Sequence, residues 1–181
     1  MGQTKKQRLL ETAKPARNTA REPSIGTQGI EAFFLHCCAQ MNMAALAVKI
    51  LPKGFSMTKL RILGFATLTP GLTVGELVQY MRVTHQSVNE PLRQLIDEGY
   101  VVAKIGVKDR RHKRLFATRK GHQRYVRNVR AQARTFEDAL RATGSGAASS
   151  FLEVQRRLVQ PRDREWVVRA LAVAVKDVAS G

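Results

Sequence analysis

Seven consecutive residues carry the densest chemistry in this chain: Lys108, Asp109, Arg110, Arg111, His112, Lys113 and Arg114. Six of the seven are basic or become so on protonation. Like charges at close range repel, so such a run does nothing for the turn that holds it. It suits a polyanion, either phosphate groups or the negative potential of a narrow minor groove. A second group lies upstream. Gln86, Ser87, Asn89 and Arg93 fall off the apolar stripe of a short helical pattern, and their amide, hydroxyl and guanidinium groups match base edges in a major groove. Thr84 and His85 stand at the start of that pattern, where backbone N–H groups favour phosphate. Both groups also have a plainer reading, a soluble turn and the solvated face of an amphipathic helix.

The elements that must position these groups are written in local signals. Thr73 and Glu76 form a T-x-x-E capping box, so a helix begins there, with Val74, Leu77, Val78 and Met81 as its apolar side. Thr84 caps a second helix. Its apolar positions Val88, Leu92, Leu95 and Ile96 follow one helical stripe, and Gly99 is a C-terminal stop. Residues 100–105 have strand composition and pair back with 115–117, making the basic run the tip of a hairpin. Two helices and a hairpin in this order form a helix-turn-helix with a wing.

This unit resembles the winged helix-turn-helix of MarR-family transcriptional regulators. The resemblance rests on the run LRQLIDEGYV followed by KDRRHKRLFATRKG, and upstream on SMTKLRILGFATLTPG. The family's wing carries an Asp-x-Arg core and closes on Leu-Thr-x-x-Gly. Asp109, Arg111, Thr118 and Gly121 match that pattern, while Ala117 stands where the family usually has Leu. The match covers about residues 30–143 and, loosely, the C-terminal helix. It implies a mostly α protein with a small β-hairpin wing, and double-stranded DNA as partner. It also implies a homodimer whose terminal helices interlock, a prokaryotic cytoplasmic setting on the nucleoid, and repression as the usual outcome. Arg111 would then enter a minor groove, fixed by Asp109, while Lys108, Arg110, Lys113 and Arg114 would neutralise phosphate. Two residues depart from the pattern. Glu90 sits where many relatives have a basic or small polar residue; a carboxylate repels phosphate but accepts a hydrogen bond from cytosine N4. Pro91 lies inside the recognition helix and removes a backbone donor to Ser87, so a local bend that displaces Asn89 and Glu90 is expected.

Composition agrees with a polyanion partner. The chain has 181 residues and a formal net charge of +17. Residues 101–134 hold 12 Lys or Arg against one acid, Asp109, a local charge of +11. An architectural DNA- or RNA-binding protein would share this charge without reading bases. Residues 1–24 have the composition of a flexible basic tail, either merely solubilising or an arm adding phosphate contacts. No run of about 18 apolar residues stands out, so no membrane span or membrane partner is expected.

Outside the winged unit, assigned to 56–118, the apolar segments exceed what a domain of its size can bury. Residues 28–50 are apolar around most of a helix circumference. Tyr125, Val129, Ala133, Phe136 and Leu140 line one face of a long helix that begins near Arg119. Ser150 and Glu153 suggest another capping box, and Pro161 suits the first turn of a last helix carrying Trp166 to Val178. Residues 25–55 and 119–181 are therefore assigned to dimerisation.

Other chemistry is sparse. His36, Gln40, Met43, Met57 and Arg61 form a candidate effector pocket, with Arg61 for a carboxylate, as the family's small aromatic acid ligands imply; the same residues also read as core filler. Cys37 and Cys38 allow a redox reading, but adjacent Cα atoms about 3.8 Å apart do not easily join in one helix. His85, His112 and His122 lack the spacing of a zinc site. No phosphate loop, nucleophile elbow or carboxylate pair suggests an enzyme, and no cofactor is expected.

Overall fold

The computed structural model describes residues 25–105 and 113–179. The basic tail 1–24 and the hairpin tip 106–112 lie outside the described residues. The chain divides into two compact units, Met1–Ala39 and Gln40–Gly181. Among the described residues the first unit contains only the opening turns of helix α1 (Ile25–Ile50).

The second unit is built on α2 (Met57–Leu68), β1 (Leu72–Thr73), α3 (Val74–Met81), α4 (His85–Asp97), β2 (Val101–Ile105) and β3 (Lys113–Ala117). Then follow α5 (Arg119–Thr143), α6 (Ala147–Leu158), a 3-10 turn (Pro161–Asp163) and α7 (Arg164–Ala179). The mostly α class with a small sheet is as the sequence implies. The sheet has a third strand that the sequence reading missed: β3 is central, with β1 and β2 antiparallel on either side. Leu115 faces Leu72 on one side and Ala103 on the other. A two-residue strand has no period to detect; only its partner defines it. The hairpin itself starts earlier than expected, with Ile105 opposite Lys113.

Local signals place the helix ends. Ser56 caps α2, its hydroxyl accepting the Lys59 N–H at 3.2 Å. Past α4 the Tyr100 N–H reaches Leu95 O (2.8 Å) and the Gly99 N–H reaches Ile96 O (3.0 Å), with Gly99 at φ +72°. This is the Schellman closure that glycine permits. One expectation fails: Ser150 is not a cap. Helix α6 begins at Ala147 after Gly146, and Glu153 pairs with Arg157 at 2.7 Å instead. The break at Gly144 to Gly146 ends one helix and starts the next with no room for three more loop residues.

The core lies where α2, α3 and α4 meet the sheet. Ile62, Leu63, Leu77, Val88, Leu95, Val101 and Leu115 are fully buried. Each contributes about 1.5–3 kcal/mol of apolar burial. Lys59 is buried with them, and its Nζ lies 2.7 Å from Glu98 Oε1, tying α2 to the end of α4. Gly121, in the first turn of α5, is held by necessity. A Cβ there would lie 2.1 Å from the Tyr100 carbonyl oxygen.

The terminal helices differ. Ile30, Phe33, Phe34, Leu35 and Met41 of α1 are exposed, as are Leu152, Val154 and Leu158 of α6 and Val168, Leu171 and Val175 of α7. The expectation that nothing is apolar enough to cross a membrane needs correction. Gly26–Ile50 passes by length and composition, with a mean hydropathy of 1.3 over its best 18 residues. The polar interruptions His36, Gln40 and Asn42 are too few among the apolar residues to bring the mean below what a span needs.

Candidate nucleic-acid interface

Helix α3 starts with a complete capping box: Thr73 Oγ1 accepts the Glu76 N–H (3.2 Å) and Glu76 Oε2 accepts the Thr73 N–H (2.7 Å). The turn that follows runs through Arg82 at φ 54°, the only non-glycine in the left-handed region among the described residues. Its guanidinium donates to Asp163 at 2.6 Å, joining the turn to the segment before α7. Close by, Phe65, Tyr80 and Trp166 stack with centroids 5.0–5.9 Å apart, and Trp166 Nε1 donates to Thr69 Oγ1 at 2.7 Å. The helix-turn-helix is thereby braced from behind by the C-terminal segment.

Helix α4 buries Val88, Leu92 and Leu95 and turns the opposite face outward. Thr84, His85, Gln86, Ser87, Asn89, Glu90 and Arg93 are all exposed on it. Thr84 is the cap, its hydroxyl accepting the Ser87 N–H at 3.3 Å, and Ser87 Oγ donates back to Thr84 O at 2.8 Å. The helix is unbroken across Pro91, so the proline removes one backbone bond without ending the helix or turning Asn89 and Glu90 inward.

Arg93 is not a free donor. Its Nε and Nη2 donate to the two oxygens of Glu90 at 2.9 and 2.7 Å, and its Nη1 donates to Asp97 Oδ2 at 3.2 Å. Gln94 also donates to Glu90, at 2.7 Å. The hydrogen bonds from Arg93 and then Gln94 hold the Glu90 carboxyl below its ordinary range, and Glu90 in turn raises Arg93. Taken one residue at a time, the sequence offers Arg93 as a base reader and Glu90 as a departure from the family pattern, without the bond between them. The signal was present, since residues 90, 93 and 97 have the i, i+3 and i+4 spacing of helix ion pairs.

At the hairpin, Lys113 and Arg114 are described and exposed, while Lys108, Asp109, Arg110, Arg111 and His112 lie outside the described residues. Arg114 spends one donor on the fold, reaching Gly71 O at 3.0 Å. Thr118 caps α5 by accepting the Gly121 N–H at 3.1 Å, and its own hydroxyl donates to Gly99 O at 2.7 Å. This explains the Thr-x-x-Gly spacing that ends the wing: the threonine joins recognition helix, strand and long helix at one point. Lys120 donates to Glu98 O at 2.7 Å and lies over the Tyr100 ring, so it completes the end of α4.

Of the five candidate pocket residues, only Arg61 lines the apolar groove of about 480 Å³ between α2, α5 and α7, with Phe65, Tyr125, Phe136 and Trp166. Arg61 Nη2 also donates to Met81 O at 3.3 Å. Burial raises the Tyr125 phenol above its ordinary pKa, keeping it a neutral donor. Met57 packs against the core, and His36, Gln40 and Met43 are not part of the groove lining. Cys37 and Cys38 are free thiols, half-buried on α1. Among the described residues no group of three or more His, Cys, Asp or Glu could hold a metal ion.

Comparison with known proteins points one way. The profile of the MarR family matches residues 53–112. The HTH-type transcriptional regulator PetP of Rhodobacter capsulatus is 34% identical over 138 residues, spanning 76% of this chain and 81% of that protein. Among solved structures, a MarR-family transcriptional regulator from Silicibacter pomeroyi superposes with a TM-score of 0.61 at 20% identity, over 75% of this chain and 94% of the other. FabT of Streptococcus pneumoniae, solved in complex with DNA, gives a TM-score of 0.61 at 16% identity, over 73% and 94%. At these identities the two structures speak to the fold.

Proposed function

This chain belongs to the MarR family of winged helix-turn-helix transcriptional regulators, and from that premise we propose a dimeric repressor that binds pseudo-palindromic operators in double-stranded DNA. The observation that carries the proposal is α4: three buried aliphatic residues fix its rotation, and an unbroken row of polar side chains faces outward. Gln86, Ser87, Asn89 and Arg93 meet base edges, while Thr84 and His85 meet phosphate at the helix start. Arg111 enters the minor groove beside the recognition helix, held by Asp109. Lys108, Arg110, Lys113 and Arg114 neutralise phosphate around it.

Residues 25–55 and 119–181 form the dimer. The support is the exposed apolar side chains of α1, α6 and α7, more than a monomer leaves open to water. A two-fold axis sets the recognition helices about 34 Å, one turn of about 10 base pairs, apart. The hydropathy of α1 is then that of an interface helix, and the protein works on the nucleoid in the cytoplasm. A small aromatic acid, with its carboxylate on Arg61, is the effector class that the groove beside Phe65 and Trp166 would take. The surplus of arginine on α5 favours a second reading, an architectural protein that binds any duplex. Selection from a random duplex library at stated salt separates the two. An enriched inverted repeat supports the repressor, and tight binding without enrichment supports the architectural reading. Arg111→Ala is expected to weaken binding to every sequence; binding equal to that of the unmodified protein would remove the wing from the interface.

A further inference from the structure

The recognition helix carries its own counter-charge. In a chain of net charge +17, α4 holds one arginine, Arg93, against two carboxylates, Glu90 and Asp97. A guanidinium offers its donors along planar edges suited to bidentate contact. Here the Nε–Nη2 edge is taken by both Glu90 oxygens, and Nη1 is taken by Asp97. All three side chains are more than half exposed, so the clamp faces the DNA side without being locked into the core. An arginine held in this way adds little to phosphate binding. The carboxylate beside it repels phosphate.

We propose that Glu90 is a specificity-determining residue that withholds Arg93 from non-cognate DNA and releases it only where a cytosine lies beside a guanine. The chemistry is an exchange of partners. A cytosine N4 amino group donates to Glu90 in place of the guanidinium, and guanine O6 and N7 accept from Arg93 in place of the carboxylate. Residues three apart on a helix rise about 4.5 Å, close to the roughly 3.4 Å between stacked bases, so the two side chains reach adjacent base pairs. Both charges stay satisfied at such a step. At guanine or thymine Glu90 meets an acceptor, and at adenine the N6 donor lies beside the N7 acceptor, so a wrong base is penalised rather than merely unrewarded. The inference rests on reading α4 as the helix that enters the major groove.

The test runs the unmodified protein, Glu90→Gln and Arg93→Ala through random-duplex selection in parallel, and titrates each on random duplex across a salt series. The unmodified protein is expected to enrich a half-site containing adjacent cytosine and guanine. Glu90→Gln is expected to lose the cytosine, bind random duplex about three- to tenfold tighter, and steepen the slope of log affinity against log salt by about 0.9 per recognition helix as Arg93 moves onto a phosphate. Arg93→Ala is expected to lose the guanine and leave that slope unchanged. Asp97→Asn, which opens the other side of the clamp, moves the slope in the same direction as Glu90→Gln but less. Matching melting curves check that the exposed substitutions leave the fold intact. The same selected site and the same salt slope for Glu90→Gln as for the unmodified protein would overturn the proposal. If the unmodified protein enriches nothing, the repressor reading falls, and an unchanged salt slope in Glu90→Gln then overturns the clamp independently.

Discussion

The winged body and the terminal helices both carry many apolar side chains but place them differently: the body buries most of its large ones, and the terminal helices leave many of theirs exposed. Ile62, Leu63, Leu77, Val88 and Leu95 are each 0% exposed, whereas Ile30, Phe33 and Phe34 are 72%, 68% and 67% exposed. Hydrophobic burial follows area removed from water, so the first set stabilises a single chain and the second has nothing to gain until a partner covers it. In the proposed dimer, one region is built to fold and the other to assemble. Exposed phenylalanine and isoleucine in such density is what distinguishes an interface from a surface.

The contrast can be broken most severely at Gly121. Gly121→Ala would drive a methyl to within 2.1 Å of Tyr100 O, so the joint between α5 and the sheet must open. A loss on the order of 4 kcal/mol is expected by chemical denaturation, and a loss below about 1 kcal/mol would mean the joint is soft. Leu95→Ala comes next, at about 2–5 kcal/mol, again on the single chain. Phe33→Asp together with Phe34→Asp is the opposite case. The stability of the monomer is expected to change by less than about 1 kcal/mol, while light scattering shows the dimer dissociating at least about tenfold more readily. Dimers surviving this pair unchanged would move the interface off α1.

Smaller effects sharpen the picture within the body. Lys113→Ala is expected to weaken binding to all duplexes alike and to flatten the salt slope by about 0.9 per wing, measured by titration at several salt concentrations. A sequence-dependent loss would instead make Lys113 a reader of bases. Thr73→Ala removes the hydroxyl half of the capping box on α3 and is expected to cost about 1 kcal/mol of stability. No measurable shift in the midpoint would show that Glu76 alone holds that helix start.

Legibility followed the range of the interaction. The caps at Thr73 and Thr84 and the stop at Gly99 were readable because each involves atoms within a few residues. The apparent box at Ser150 misleads for the same reason: S-x-x-E is permissive, and the helix has already begun at Ala147, capped by Gly146. Strand β1 was not readable, since two residues carry no alternation and Leu72 becomes a strand only opposite Leu115. The Arg93 clamp is written in the spacing of residues 90, 93 and 97, and only the three taken together show it. Of the five candidate effector residues, only Arg61 lines the groove between α2, α5 and α7, since which side chains share a groove depends on how distant helices pack.

What the sequence determined by itself was local and periodic: helix starts, the buried stripe of α4, the hairpin and the concentration of positive charge in its tip. Those depend on hydrogen bonds within a turn and on the alternation of apolar residues, both properties of a short segment. Only the tertiary structure decided that Lys59 is buried on Glu98, that Trp166 stacks behind the helix-turn-helix with Phe65 and Tyr80, and that Thr118 ties three elements together. Apart from the local Thr118 cap on Gly121, these contacts join residues far apart in the chain, and no short segment contains both partners. They exist only once burial has brought those partners together.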